Sequence, residues 1–244
     1  MRKLKGSGSY LKRQTRETLG KTVFCAILFG ALLLAAIDSL LIYSRFDPIE
    51  AILLLISLAP LGAGYYYSRK YLIYRAGLNG EKQVSKILKS TLSDEFSLLE
   101  DFCMDNRGGD IDQAVFGPNG IFVIETKNWS GPISCEGDDW QRQDKRKFSG
   151  SPSKQVKKNV ENVRQVLSAS STIRNHGVWV QGLVVFTNDH ADLHLNNPTT
   201  PVLRLHQLSS YIISYKNYSP YTNQQLQQIT KIIEKQILLT KQNR

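Results

Sequence analysis

Residues 109–128 read GDIDQAVFGPNGIFVIETKN, and this stretch decides the fold of the chain. It contains two runs of apolar and β-branched residues separated by the four residues GPNG. Pro118 favours the backbone φ of a turn, and Asn119–Gly120 tolerates positive φ. The stretch therefore predicts a β-hairpin with a tight turn.

The register of this hairpin brings two acidic residues together. If the turn is symmetric, Phe116 lies opposite Ile121, and the same register places Asp112 opposite Glu125. Because side chains alternate between the faces of a strand, Asp112, Glu125 and Lys127 share one face. A bulge of one residue in the turn would break this register.

A bound cation would offset the repulsion between the two opposed carboxylates of the hairpin. Directly opposed side chains on antiparallel strands have Cβ atoms about 5 Å apart, and like charges there are destabilising. Converging carboxylate oxygens are the ligands that Mg²⁺ and Mn²⁺ prefer, and a nearby lysine can hold a phosphate or orient a water molecule. The alternative is a solvated face on which Lys127 pairs with Asp110 or Glu125.

The same residues resemble a known group of nucleases. Asp112 followed by Glu125-Thr126-Lys127 resembles the D…(D/E)-x-K signature of the PD-(D/E)xK nuclease superfamily. The longer string GPNGIFVIETKN is similar to the nuclease-related domain, NERD. The segments Gly77–Glu81 and Ser151–Gln155 are also similar, although the family usually shows Asn-Pro-x-x-Gln at the second. The resemblance covers about residues 76–215.

This resemblance implies a fold, an activity and a set of site residues. The fold is α/β, with a restriction-endonuclease-like αβββαβ core and a mixed sheet. The activity is hydrolysis of phosphodiester bonds in nucleic acid with Mg²⁺ or Mn²⁺ as cofactor, and DNA is favoured over RNA. Lys127 acts as a general base or electrostatic catalyst, and Gln155 orients Lys127 or a phosphate. The implied catalytic residues are Asp112, Glu125, Lys127 and Gln155, and the implied metal ligands are Glu81, Asp112 and Glu125.

The spacing of apolar residues independently predicts the same order of elements. Asn79 can cap a helix that runs to about Leu92, and Glu81 lies on the apolar stripe of this helix. There Glu81 either reaches a site or stabilises the helix N-terminus. A capping box at Thr222 begins a C-terminal helix over 222–240, whose apolar face belongs to the domain core or to a dimer contact. The other expected elements are a strand over 96–102, the two hairpin strands, a helix over 153–168, a strand over 177–186, and a strand end with a helix over 203–215.

Two apolar runs precede this domain. Residues 22–43 and 51–67 can each cross a hydrocarbon core of about 30 Å, the second with help from the aromatic belt Tyr65–Tyr67. The loop at 44–48 is short, so the two runs predict a transmembrane helical hairpin. The expected organisation is a basic cytoplasmic arm (1–21), the hairpin (22–67), a linker (68–78) and a nuclease-like domain (79–244) with its core at about 79–215.

Basic residues predict the orientation of this hairpin. Seven Lys and Arg residues precede the first run and three follow the second, whereas the loop holds only Arg45. The positive-inside rule places both termini and the C-terminal domain in the cytoplasm, and the chain in the cytoplasmic membrane as a multi-pass protein. The alternative is a cleaved signal peptide with processing at Ala35–Ala36, but the basic segment is long for that and a second run follows at once.

The positive charge is unevenly distributed. The net charge is +10, of which residues 1–76 carry +7, an excess that could also bind anionic lipid. A second basic cluster of seven residues lies after the hairpin and, with Asp144 among them, has a local charge of +6, which suits a polyanionic phosphodiester substrate. The alternative for this cluster is a solvated loop and helix face. Its members are Arg142, Lys145, Arg146, Lys147, Lys154, Lys157 and Lys158.

The sequence therefore predicts a membrane-anchored, metal-dependent nuclease. Two other classes of function stay open: a non-catalytic nucleic-acid tether, and a membrane scaffold whose basic regions bind lipid or a partner protein. The three cysteines lack a C-x-x-C pair, which excludes a zinc ribbon. The chain also lacks the G-x-x-x-x-G-K-[ST] loop of a nucleotide motor.

Overall fold

The structure is a computed structural model that describes residues 1–4, 10–43, 48–104, 110–142, 150–170, 173, 178–217 and 219–242. The chain divides into two compact units. The helical unit consists of residues 10–78, and the sheet unit consists of residues 1–9 together with 79–244.

The helical unit contains the two apolar runs, and both are helical. Helix α1 spans Tyr10–Tyr43, and helix α2 spans Pro48–Thr91. Large apolar side chains are exposed on both helices, among them Phe24 on α1 and Leu55 on α2. In the described part of the chain, one helix is long and apolar enough to cross a membrane, Tyr10–Ser39, and a signal sequence would pass the same test. The second predicted span has no such support.

The described part of the sheet unit contains nine strands. They are β1 (Arg2–Leu4), β2 (Ser97–Phe102), β3 (Ile111–Gly117), β4 (Gly120–Lys127), β5 (Gly131–Glu136), β6 (Asp139–Arg142), β7 (Val180–Phe186), β8 (Ala191–Asn196) and β9 (Val202–Arg204). Six of them form a mixed sheet in the order β1-β2-β3-β4-β7-β9, in which β2, β3 and β4 are antiparallel and the other pairs are parallel. The other three form a smaller sheet in the order β6-β5-β8.

Helices cover both faces of the six-stranded sheet, which explains why its central strands read as nearly continuous apolar runs. The remaining helices are α3 (Pro152–Ser168), α4 (Leu208–Ser214, after a 3₁₀ turn at Leu205–Gln207) and α5 (Asn223–Gln242). Helices α3 and α5 pack on one face, and α2 and α4 on the other. The apolar stripe of α5 is buried in the domain core, as one of the two interpretations predicted. The predicted capping box at Thr222 is present, since the Gln225 N–H donates to its hydroxyl at 3.3 Å.

The predicted hairpin is confirmed, and so is its register. Phe116 lies opposite Ile121, and Gly117 lies opposite Gly120, so the turn contains no bulge. Gly120 has a φ of 153°, a positive value that favours glycine. Ala114 on β3 and Val123 on β4 pack in the same cluster as α3, so the alternation of side chains puts Asp112, Glu125 and Lys127 on that face.

The predicted order αβββαβ is confirmed as α2-β2-β3-β4-α3-β7, with an insertion and one corrected helix start. The strands β5 and β6 are inserted between β4 and α3. Asn79 does not begin a helix, because α2 runs through residues 68–78, the expected linker, without a break. A glycine costs a helix only about 1 kcal/mol, which does not stop one that is already formed on both sides. Within the expected basic arm, residues 2–4 form β1 and residues 10–21 belong to α1.

Candidate active site

The end of β4 carries a buried lysine–carboxylate pair. Glu125 is 1% exposed, and Lys127 Nζ donates a hydrogen bond to Glu125 Oε1 at 2.5 Å. Lys127 Nζ also donates to Gln155 Oε1 on α3 at 3.4 Å and lies 5.6 Å from the centre of the Trp129 ring. The structure thus brings together three residues that the sequence singled out. Lys127 pairs with Glu125, as the alternative interpretation predicted, but the face is not solvated, because the Glu125 carboxylate is buried.

Asp112 lies on β3 beside this pair. The last paired residues of the hairpin are Gln113 and Ile124, and the same register puts Asp112 level with Glu125. Asp112 Oδ2 accepts the backbone N–H of Thr126 at 2.7 Å. This hydrogen bond holds the carboxylate on the same face as Glu125.

Helix α2 brings Glu81 to the two hairpin acids, and Gly80 permits the approach. A Cβ atom at Gly80 would lie 2.8 Å from Thr187 Oγ1 and 3.1 Å from Asn128 Cβ, closer than side chains normally pack. The helix can therefore lie against the ends of β4 and β7 only because residue 80 has no side chain. Glu81 follows directly in the chain and is close enough for the charge of Asp112 to act on it.

A buried glutamine connects α2 to β4. Gln113 is 1% exposed, its Nε2 donates to the backbone oxygen of Glu81 at 3.2 Å, and its Oε1 accepts the Thr126 hydroxyl at 2.9 Å. Both ends of the amide are used, so Gln113 positions Glu81 relative to the strand that carries Glu125. The sequence reasoning missed this residue, since nothing local indicates which helix covers that face of β3.

Asp101 is another residue that the sequence reasoning missed. β2 pairs with β3 on both sides of Asp101, which puts it level with Asp112. Its φ is 51°, in the left-handed region that non-glycine residues rarely adopt. Asp101 also lines the same groove as Glu81 and Asp112. It could have been found only by knowing the register of β2 against β3.

Burial and mutual repulsion raise the pKa values of the acids. Desolvation, followed by the charge of Asp112, raises the pKa of Glu125 to about 8. Desolvation and the charges of Asp112 and Asp101 raise the pKa of Glu81 to about 9. Desolvation also raises the pKa of Asp112, against the opposing charge of Lys127. Burial lowers the pKa of Lys127, but the charges of Glu125 and Asp112 outweigh it, so this pKa lies above its usual 10.5.

These acids have the chemistry of a cation site. Glu125 Oε2 is buried and, among the described residues, has no hydrogen-bond partner. The raised pKa values mean that the ionised carboxylates are unfavourable together, and a divalent cation would offset their charge and satisfy the orphaned oxygen. Within the described ranges, no three His, Cys, Asp or Glu side chains are already arranged as a metal-binding group.

The predicted basic cluster is described only in part. Three of its members lie outside the described residues: Lys145, Arg146 and Lys147. Two more are exposed: Arg142 and Lys158. Lys157 Nζ lies 2.7 Å from Asp138 Oδ2, and Lys154 Nζ lies 3.6 Å from Asp139 Oδ1. These acidic neighbours offset part of the local charge that the sequence suggested.

Ser151 stands where the NERD pattern usually has asparagine, and it caps α3. Its hydroxyl accepts the Lys154 N–H at 3.2 Å and donates to the Asp138 backbone oxygen at 2.6 Å. Serine and asparagine are both good N-cap residues, so the substitution keeps the helix start in place. Gln155, one turn into the helix, is thereby held beside Lys127.

All of these acids and their lysine lie within one segment of the chain. Residues 76–187 match NERD, the nuclease-related domain. The NERD match begins where the sequence resemblance begins and ends at Thr187, directly after β7, so that β8, β9, α4 and α5 lie beyond it. It supports a nuclease-related function for the sheet unit. No curated protein and no solved structure matches the chain.

The close approach at Gly80 makes a testable prediction. We expect Gly80→Ala to destabilise the sheet unit by about 1–3 kcal/mol, because the new methyl group overpacks against Thr187 and Asn128. The measurement is thermal unfolding followed by tryptophan fluorescence, since all three tryptophans lie in the sheet unit. The matched control is Gly62→Ala on the same helix, where an added Cβ would meet no atom of the described residues within 4 Å beyond its own stretch of helix. Equal melting temperatures for the two variants would contradict the role of Gly80.

Proposed function

We propose that the protein is a membrane-anchored, metal-dependent nuclease that hydrolyses phosphodiester bonds in nucleic acid, with DNA as the first substrate to test. The observation that carries this proposal is Glu125. It is 1% exposed, it is bonded to Lys127 through one oxygen, and in the described structure its other oxygen has no partner. A buried acid with one unpaired oxygen, inside a segment that matches NERD, is better explained by a cation-dependent site than by a contribution to the stability of the fold.

Three acids would hold the metal ion: Glu81, Asp112 and Glu125. Mg²⁺ or Mn²⁺ fits them because both ions prefer carboxylate oxygens. When bound, the ion would activate a water molecule and offset charge on the phosphate. Asp112 is oriented by the Thr126 N–H, and Glu81 is oriented through its backbone by Gln113. Two of the three proposed ligands, Asp112 and Glu81, are thus held in position by hydrogen bonds from other residues.

Lys127 would stabilise the charge that develops on the phosphate. Because its pKa is raised, the amine is protonated at neutral pH, which favours the electrostatic role over that of a general base. Gln155 Oε1 accepts a hydrogen bond from Lys127 Nζ and so orients the amine. Lys127 lies on the face of the sheet that α3 covers, and Gln155 belongs to α3 itself.

The test is cleavage of labelled single-stranded and double-stranded DNA and RNA by the full-length protein in detergent, with Mg²⁺, Mn²⁺ or EDTA. We expect metal-dependent cutting that Glu125→Ala abolishes. The control is Glu161→Ala, because Glu161 is exposed on α3 and pairs only locally with Arg164. A folded protein that binds nucleic acid but cuts none of these substrates would favour the non-catalytic tether instead.

We also propose that α1 and the first part of α2 cross the membrane as a hairpin, with both termini in the cytoplasm. The position of β1 supports this topology. Arg2 pairs with Ser97 and Leu4 with Leu99, and Leu4 is 2% exposed, so the N-terminus belongs to the same sheet as the C-terminal domain. A chain with both segments in one sheet crosses a bilayer an even number of times between them. This argues against a single span and against a cleaved signal peptide.

This topology predicts the labelling of single cysteines in intact cells. A membrane-impermeant thiol reagent should label Arg45→Cys from outside and should label Lys231→Cys only after the cells are made permeable. The native cysteines contribute little background because all three are buried. Labelling of Lys231→Cys in intact cells would contradict the proposed orientation.

A further inference from the structure

A groove beside the acidic cluster is lined by lysines on α2. Its volume is about 550 Å³, and four acids are among its lining residues: Glu81, Glu100, Asp101 and Asp112. Lys82, Lys86 and Lys89 lie along one wall. Residues spaced by four and three positions lie on one face of a helix, so the three amines form a row that leads away from Glu81.

The charges in this groove differ from those of the basic cluster that the sequence indicated. Lys89 pairs with Glu100 at 2.6 Å, but Lys82 and Lys86 are exposed and have no ion-pair partner among the described residues. By contrast, the lysines at the start of α3 have acidic neighbours on β6 and the turn before it. Two lysines that are not already paired are better placed to bind phosphates.

We propose that this groove binds the phosphate backbone of the nucleic-acid substrate through Lys82 and Lys86, and this inference rests on the proposed function. The groove shares Glu81 and Asp112 with the candidate active site, so a strand held at the acids continues along the lysine row.

The lining also indicates what is recognised. None of the described lining residues is aromatic, so base stacking does not contribute. Lysine amines contact phosphates irrespective of the base, so binding should depend strongly on salt and weakly on sequence.

The test is fluorescence anisotropy of a labelled oligothymidine with the full-length protein in detergent and EDTA, so that no cleavage occurs. We expect Lys82→Gln with Lys86→Gln to weaken binding roughly tenfold and to lower the slope of log K against log salt by about 1.4. The matched control is Lys231→Gln with Lys235→Gln, which removes the same charge at the same spacing from the exposed face of α5. We expect this control to bind like the unmodified protein.

Each result bears on the proposal in one direction. Unchanged binding in the α2 variant, or equal losses in the two variants, would overturn it. The experiments distinguish a wrong proposal about the groove from a wrong proposal about nuclease activity. Cleavage that depends on Glu125 with unchanged binding in the α2 variant overturns only the groove, whereas groove-dependent binding without cleavage overturns only the nuclease.

Discussion

We expect Lys127→Ala to reduce the rate of phosphodiester cleavage by roughly 10²–10³-fold, the usual effect of removing a group that stabilises charge in the transition state. The lysine is held for this role, since its amine is fixed between Glu125 and Gln155 and is protonated at neutral pH. The measurement is the single-turnover rate with saturating metal ion. Substrate affinity should change much less than this rate, because the interaction is proposed to act in the transition state.

Loss of the lysine also leaves a buried acid without its partner, so a folding defect has to be separated from a catalytic one. Lys127→Gln serves this purpose, because its amide can still donate to Glu125 Oε1 without the positive charge. We expect Lys127→Gln to keep the melting temperature better than Lys127→Ala and to be equally slow. The control Lys231→Gln, on the exposed face of α5, should keep its full rate. Normal cleavage by either Lys127 variant would rule out the electrostatic role.

The second large effect concerns stability. Without metal ion, we expect the free energy of unfolding of the sheet unit to fall as the pH rises from 4.5 to about 8 and above. In this interval Glu125 and Glu81 keep a proton in the folded protein but release it when the chain unfolds, so rising pH favours the unfolded state. Each such proton contributes about 1.4 kcal/mol per pH unit. Millimolar Mg²⁺ or Mn²⁺ should reverse the fall at high pH, because the ion binds the ionised acids of the folded state only.

The matched variant for this experiment is Glu81→Gln with Glu125→Gln, and the readout is again tryptophan fluorescence. The free energy of unfolding of this double variant should depend much less on pH. It should also change little when either metal ion is added. Glu161→Gln should behave like the unmodified protein, because that acid is exposed. A metal effect that is equally large in the Glu81/Glu125 variant would place the cation elsewhere.

The hairpin shows how far the sequence alone leads. Its strands, its turn and its register were predicted and are confirmed, because a tight turn and a period of two are local properties of residues 111–127. The same register determined that Asp112, Glu125 and Lys127 share one face. The apolar stripes of α3 and α5 are also buried as predicted, since the helical period is equally local.

Errors arose where a local signal competes with more distant structure. The segment Gly77–Gly80 resembles a helix start, but α2 begins at Pro48 and continues through it. The glycine at 80 instead serves the contact with Thr187, a residue more than a hundred positions away. No local pattern distinguishes a glycine that ends a helix from one that lets a helix approach a sheet.

The sequence by itself determined the acid–acid–lysine face of the hairpin and the order of the core elements, because these follow from turn chemistry and periodicity. Only the tertiary structure decided that Glu81 comes close to Asp112, that Asp101 lies level with Asp112, and that β1 pairs with β2. Each of these depends on which distant segments pair and in which register. Such pairings result from the packing of the whole sheet unit, and the residues that make them carry no local sign of their partners.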